Sequence, residues 1–257
     1  MKRFTLALAA ILALLAAAAT TWAVTKAPPL GSQIGSSAQF GAPKTPIKPP
    51  VCPAGVQPKD CLIVMTRSTA LGMTIDGVST PMKVHKAGEI VSFTVGLAQL
   101  SSNPSTAATY IKNLNSLYGG AAEAQLTILK YANNHKWTVV AEGPLVQLQP
   151  YLGYVVQFPL SKPIPVKSGE SIALTVPTWA PILSYKLTSS LYSYRQSRNS
   201  NCGKPAPTQS AQLTVNQTTL YGCFYPGTRV EYGATELTNP VPPATTTTKT
   251  TTTPKRK

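Results

Sequence analysis

Lys167-Ser-Gly-Glu-Ser-Ile-Ala-Leu-Thr-Val176 has a gapless counterpart in Lys86-Ala-Gly-Glu-Ile-Val-Ser-Phe-Thr-Val95. Both copies follow K-[A/S]-G-E-x-[I/V]-x-[F/L]-T-V. Gly88 and Gly169 are expected at positive φ in a tight turn, since glycine enters that region without a Cβ penalty. The residues that follow alternate, which places Val91, Phe93 and Val95, or Ile172, Leu174 and Val176, on one face of a strand. A turn feeding a half-buried strand, used twice, predicts a β-protein with the two copies as corresponding strands of one sandwich. Glu89 and Glu170 occupy equivalent places beside the turn. Two such carboxylates could pair as a glycosidase acid and nucleophile, but repeat symmetry accounts for them without any chemistry.

On either side the same alternation recurs at sandwich spacing, over 62–66, 124–131, 137–141, 145–148, 153–160, 182–187, 191–195, 213–215, 221–225 and 229–237. Asp76-Gly77 is a two-residue hairpin signal, and Asn133-Asn134 marks another turn. Helical spacing occurs once, over 106–118, where Tyr110, Ile111, Leu114, Leu117 and Tyr118 could share a face ahead of Gly119-Gly120. Asn113 and Asn115 are indifferent helix formers, so a short helix or ordered loop is expected there, across one end of the sandwich. Most of the 24 prolines fall between the strand runs, as edges and turns allow. These features predict an all-β chain with a single antiparallel β-sandwich at 51–240 and at most one short helix near 106–118.

The ends differ in composition from this domain. Met1-Lys-Arg followed by an apolar run over 6–19 and the small residues of Thr21-Trp-Ala23 reads as a signal peptide, 1–23. Retention of 6–24 as an uncleaved anchor is the alternative. Residues 24–50, rich in Pro, Gly, Ser and Ala, read as a flexible linker, and 241–257 as a disordered Thr/Pro-rich basic tail. No membrane span is expected after cleavage. The localisation that follows is secreted or cell envelope, extracytoplasmic.

Export changes the meaning of the four cysteines, which are best read as disulfides. Three pairings exist, and spacing favours the local one, Cys52–Cys61 with Cys202–Cys223. Closing loops of these sizes contributes about 3 kcal/mol each in a chain-entropy treatment. A zinc site lacks a C-x2-C pair, and His85 and His135 are far from any cysteine, so no metal is expected.

The net charge is +15. Nine of the 23 basic residues lie outside 51–243, which leaves 14 against all eight acids, or +6. The basic residues of the domain are scattered singly, without the aromatic interleaving of a single-strand binder, so no nucleic acid partner is expected. Carboxylates and histidines are few, and there is no G-x-S-x-G, S-x-x-K, P-loop or H-E-x-x-H. No catalytic residue and no cofactor is expected, and the chain reads as a non-enzyme. Trp179, Tyr185, Tyr192, Tyr194 and Arg195 are the candidate ligand-binding residues. Aromatic faces beside a guanidinium and the amides of Asn199 and Asn201 could stack on and hydrogen-bond a cell-wall or extracellular glycan, with Tyr192 and Tyr194 pointing the same way from one strand. The competing reading makes Trp179 a core anchor between two prolines, and large aromatics are usually well buried.

YGGAAEAQLTILK (118–130), VQLQPYLG (146–153), PIPVKSGESIALTVPTWAP (163–181) and YGCFYPGTRVEYGATEL (221–237) resemble a set of uncharacterised secreted proteins of actinobacteria. The resemblance covers roughly 84–237 and is most specific in VPTWAP and the last cysteine strand. It implies a jelly-roll-like sandwich in an envelope or extracellular setting, and it implies no activity. Glu231 and Glu236 depart from the pattern, which reads R-L-L-Y-x-A-T-L at that point. The expected function is a structural or adhesive module of the envelope or extracellular space; the alternative is a carbohydrate-binding module built on 179–195.

Overall fold

The computed structural model of the chain describes residues 37–57, 60–203 and 208–238. They fold as an antiparallel β-sandwich with one α-helix. In chain order the strands are β1 (Ser37–Phe40), β2 (Met65–Ile75), β3 (Val78–Ser79), β4 (Gly88–Gly96), β5 (Glu123–Asn133), β6 (Lys136–Glu142), β7 (Val146–Gln147) and β8 (Val155–Val166). There follow β9 (Ser171–Ala180), β10 (Leu183–Ser184), β11 (Ser193–Gln196), β12 (Thr218–Leu220), β13 (Cys223–Pro226), β14 (Arg229–Val230) and β15 (Tyr232–Thr238). The helix, α1 (Pro104–Tyr118), lies between β4 and β5. The smaller sheet runs β1-β15-β4-β8 and the larger β12-β6-β5-β9-β2-β11-β13, with β3 added to β2 and β7 to β5; β10 and β14 pair separately.

The two repeat copies become β4 of the smaller sheet and β9 at the centre of the larger one. Between them lies the core: Ile90, Phe93 and Val95 from β4 join Leu126, Ile172, Leu174 and Val176 from the larger sheet, all fully buried. Each such side chain contributes about 1.5–3 kcal/mol by leaving water. Tyr232 on β15 crosses the interior. Its hydroxyl donates to the Ile172 carbonyl on β9 (2.9 Å) and accepts from the Gly72 N–H on β2 (3.3 Å).

Gly169 has the expected turn conformation, φ 91°. Gly88 does not: it opens β4, and a Cβ there would lie 2.5 Å from the Leu237 carbonyl oxygen of β15. Close approach of two backbones, rather than a turn, explains that glycine. Val91 also departs from the alternation. A bulge between Ile90 and Ser92 shifts the register of β4, so Ile90 enters the core and Val91 is only partly covered.

The helix spans the whole expected segment and begins two residues earlier. Asn103 caps it by accepting from Ser105 N–H and Thr106 N–H, and Gly119 ends it at φ 83° with its N–H on the Asn115 carbonyl. Ile111, Leu114 and Tyr118 pack on the core while Leu117 stays in solvent. The expected strand at 62–66 instead starts at Met65 and continues to Ile75. Residues 213–215 are not a strand; Leu213 and Val215 are exposed, and the edge strand is β12. The turn after β5 is centred on Asn134 and His135, both at positive φ (41° and 58°), one residue beyond the expected pair.

Composition places 24–50 in a linker, yet its described part, 37–50, is built into the fold. β1 pairs with β15 with Phe40 opposite Ala234, and Arg229 donates to the Gly41 and Thr45 carbonyls at 2.9 and 3.1 Å. Backbone pairing, the buried Phe40 and the Thr45 hydroxyl on Asp76 hold this segment, and its average composition shows none of them. The expected signal peptide, 1–23, and tail, 241–257, lie outside the described residues. Among the described residues no helix is long and apolar enough to cross a membrane. Both local disulfides are formed, Cys52–Cys61 and Cys202–Cys223.

Candidate functional site

β11 and β13 pair with Tyr194 directly opposite Tyr225, and the two rings stack with centroids 4.7 Å apart. They form one wall of a hollow of about 490 Å³, also lined by Tyr185, Lys186 and the buried Arg198. The Tyr225 hydroxyl donates to the Cys202 carbonyl (2.6 Å), and the Arg198 guanidinium donates to the Asn201 carbonyl (2.7 Å). Burial pushes the Tyr194 phenol well above its ordinary range and raises that of Tyr225. Both therefore stay protonated at neutral pH. The polar groups at this wall brace the loop that carries the second disulfide.

Of the five candidate binding residues, only Tyr185 and Tyr194 share this hollow. Trp179 is fully buried beneath α1, with its indole N–H directed at Asn115 Oδ1 (2.9 Å) and the Gly120 carbonyl (3.1 Å). Its place is that of the core anchor. Tyr192 lies just ahead of β11 and donates to Asp76 Oδ1 (2.7 Å). Tyr192 and Tyr194 do not act as a pair, because β11 starts at Ser193 and shifts register between Ser193 and Tyr194. Arg195 donates to the Tyr221 carbonyl (2.9 Å) with its guanidinium 5.0 Å from the Phe224 ring. The five residues are distributed over separate surroundings rather than one binding face.

Asp76, Glu170 and Glu231 have structural partners, whereas Glu142 and Glu236 each bury one carboxylate oxygen without a hydrogen bond among the described residues. Asp76, at the hairpin after β2, accepts from the Thr45 hydroxyl (2.5 Å) and N–H (2.7 Å), the Lys44 N–H (3.0 Å) and Tyr192. Partial burial works to raise its pKa, but these hydrogen bonds together outweigh it and hold the carboxyl at about 2. Glu170 accepts from the Lys167 N–H and closes its own turn (2.8 Å). Glu231 and Glu236 are both buried. Burial raises the carboxyl of each, opposed in Glu231 mainly by Arg229 and in Glu236 by His85.

A second aromatic cluster lies at the β5–β6 hairpin. Tyr131 and Trp137 are directly paired in register, with rings edge to face at 5.3 Å. His135 in the turn stacks 6.3 Å from Trp137. These three line a hollow of about 300 Å³ over Leu71, Met73 and Met82. It adjoins another of about 590 Å³, lined by Lys130, Lys167 and Glu170, and the two share Tyr131 and Gly169. Sequence reasoning passed this cluster over, although Tyr131-Ala-Asn-Asn-His-Lys-Trp137 carries a signal: aromatics flanking a tight turn at matched distances face each other across the hairpin. The chain matches no protein-family model, and neither the curated proteins nor the solved structures compared with it contain a match.

Proposed function

We propose that this chain is an exported, non-enzymatic β-sandwich that serves as a structural or adhesive module of the cell envelope or extracellular space. The observation that carries the reading is the pair of disulfides, which close local loops near the start of the sandwich and before its last strands. Such bonds persist in oxidising compartments and are rare in the cytosol. The structural duties of Asp76, Glu170 and Glu231 support the non-enzymatic part, since a general acid or base must be available to a reacting group. Fractionation of the producing cells tests the reading: the chain is expected in the extracytoplasmic fraction with no titratable thiol. Recovery in the cytosol with four free thiols would overturn it. Removing 241–257 should shift protein from the envelope to the medium if that basic segment contributes attachment.

A further inference from the structure

The larger sheet turns one face toward the core, and part of its other face is covered by the 210–212 segment. There the Gln212 N–H bonds to the Thr69 hydroxyl on β2 (2.9 Å), and the Ser210 N–H bonds to the Arg67 carbonyl. Leu71 follows Thr69 at the two-residue spacing that keeps it on its side of the strand, and Met73, the extra residue where β2 shifts register against β11, lines the same hollow as Leu71. They form the floor of the 300 Å³ hollow, with Ser171 of β9, Tyr131 of β5 and Trp137 of β6 across the neighbouring strands. The covering segment therefore stops short of an apolar, aromatic-walled depression. Tyr131 is 52 % exposed there, although it rests against a Trp137 that is only 5 % exposed. His135, the second residue of the hairpin turn, stands beside the depression.

Charge selects among ligands for such a depression. Lys83, Lys130 and Lys167 are exposed around the two adjoining hollows, and none of the three pairs with a carboxylate among the described residues. The one acid on the lining, Glu170, is engaged by the backbone of its own turn. A sugar ring has an apolar C–H face that packs on an aromatic ring and a hydroxyl rim that Thr80 and Ser171 could meet. A volume of 300 Å³ is at the small end of ligand sites. Two hollows joined at a half-exposed tyrosine suit successive units of a chain better than one isolated molecule.

We infer that the Tyr131–Trp137 depression and the hollow beside it bind consecutive rings of an acidic polysaccharide. Tyr131 stacks on one ring with Lys83 beside it, and Lys130 and Lys167, which line the neighbouring hollow, face the carboxylate of the next ring. This rests on the adhesive reading above and gives the module its ligand class. It also moves the glycan site from 179–195 to the β5–β6 hairpin.

The test is a binding titration of the full mature chain with three polymers: polygalacturonate, neutral dextran, and poly-glutamate as an acidic polymer without sugar rings. Polygalacturonate is expected to bind most tightly and dextran not at all. Tyr131→Ala should weaken polygalacturonate binding about tenfold, the scale of one aromatic contact, and leave poly-glutamate binding unchanged. Tyr131→Phe should keep the affinity, which separates loss of stacking from loss of folding. Replacing both Lys130 and Lys167 by Gln should weaken both acidic polymers. Unchanged polygalacturonate binding in Tyr131→Ala would overturn the inference, as would equal binding of polygalacturonate and poly-glutamate. The assay uses purified protein, so its failure is distinct from a failure of the fractionation that tests the envelope reading.

Discussion

Arg229 and Glu231 meet in the interior, with Nε 3.2 Å from the carboxylate oxygen Oε2 and both side chains almost completely buried. One residue separates them along the chain, at the junction of β14 and β15. Glu231 also accepts from the Ser184 hydroxyl (2.7 Å), and one further guanidinium nitrogen, Nη2, donates to both the Gly41 and the Thr45 carbonyl. The pair ties the 41–45 segment to the last strands and to β10.

Breaking this pair from one side leaves a buried charge without its counterion. Arg229→Met is expected to cost about 3–5 kcal/mol in urea unfolding. Adding Glu231→Leu should recover part of the loss, because the orphaned carboxylate is gone. Recovery stays incomplete, since the Gly41 and Thr45 carbonyls still lack their donor. Single and double variants of equal stability would mean that the charge pairing itself contributes nothing.

Asp76 makes the fold sensitive to acid. Its carboxyl is held at about 2 against a free value of 3.8, so its contribution to stability is complete above about pH 4 and is lost as pH falls through 2. Tyr192→Phe removes one of the donors, raises the folded-state pKa toward 3.8, and should therefore make the acid-dependent loss smaller and complete at a higher pH, with its onset near pH 4 unchanged. Unfolding measured between pH 5 and 2, alongside Asp76→Asn, isolates the effect; the difference between native and Asp76→Asn should shrink with acidification.

The two cystines differ in their surroundings. In a chain-entropy treatment each double Cys→Ser variant loses about 3 kcal/mol. Cys202→Ser/Cys223→Ser should also disturb the Tyr194–Tyr225 stack, because Tyr225 bonds the Cys202 carbonyl. Near-ultraviolet circular dichroism of the two double variants checks this: a change is expected in the second and not in Cys52→Ser/Cys61→Ser.

Trp179 should behave as a core residue. Trp179→Phe leaves Asn115 Oδ1 and the Gly120 carbonyl without the indole donor, at about 1–3 kcal/mol, and Trp179→Ala should cost about 3–5 kcal/mol. Thermal unfolding reads both. Polygalacturonate binding by Trp179→Phe at a temperature where it is folded should equal that of the native chain.

Much of the fold was legible because strand alternation, turn residues and caps are local. Asp76-Gly77 forms its hairpin and Gly119 ends the helix from short stretches alone. The cystine pairs were legible for the same reason, since each closes a short loop. Asn115 was misleading: it is an indifferent helix former, and its amide is what fastens the helix to Trp179 and to Gln149. Propensity describes an isolated helix, whereas here tertiary hydrogen bonds decide. The 37–50 segment was illegible because pairing with β15, one buried Phe40 and the Thr45–Asp76 contact hold it, and none of these shows in its overall composition.

Pattern along the chain was enough to establish an antiparallel β-protein with one helix and two local disulfides, because those features depend on neighbours a few residues apart. It could not assign the two K-x-G-E strands to sheets. A strand with one apolar face satisfies either layer equally, and the choice rests on partners far away in sequence: β4 joins β15 and β8, while β9 joins β2 and β5. The same holds for the aromatics. Whether a ring is buried or offered to a ligand depends on what covers it, and for Trp179 that cover is a helix some 60 residues upstream. Only the tertiary structure could bury Trp179 and Tyr194 and leave Tyr131 half in solvent beside Trp137, because burial is settled by packing between distant segments.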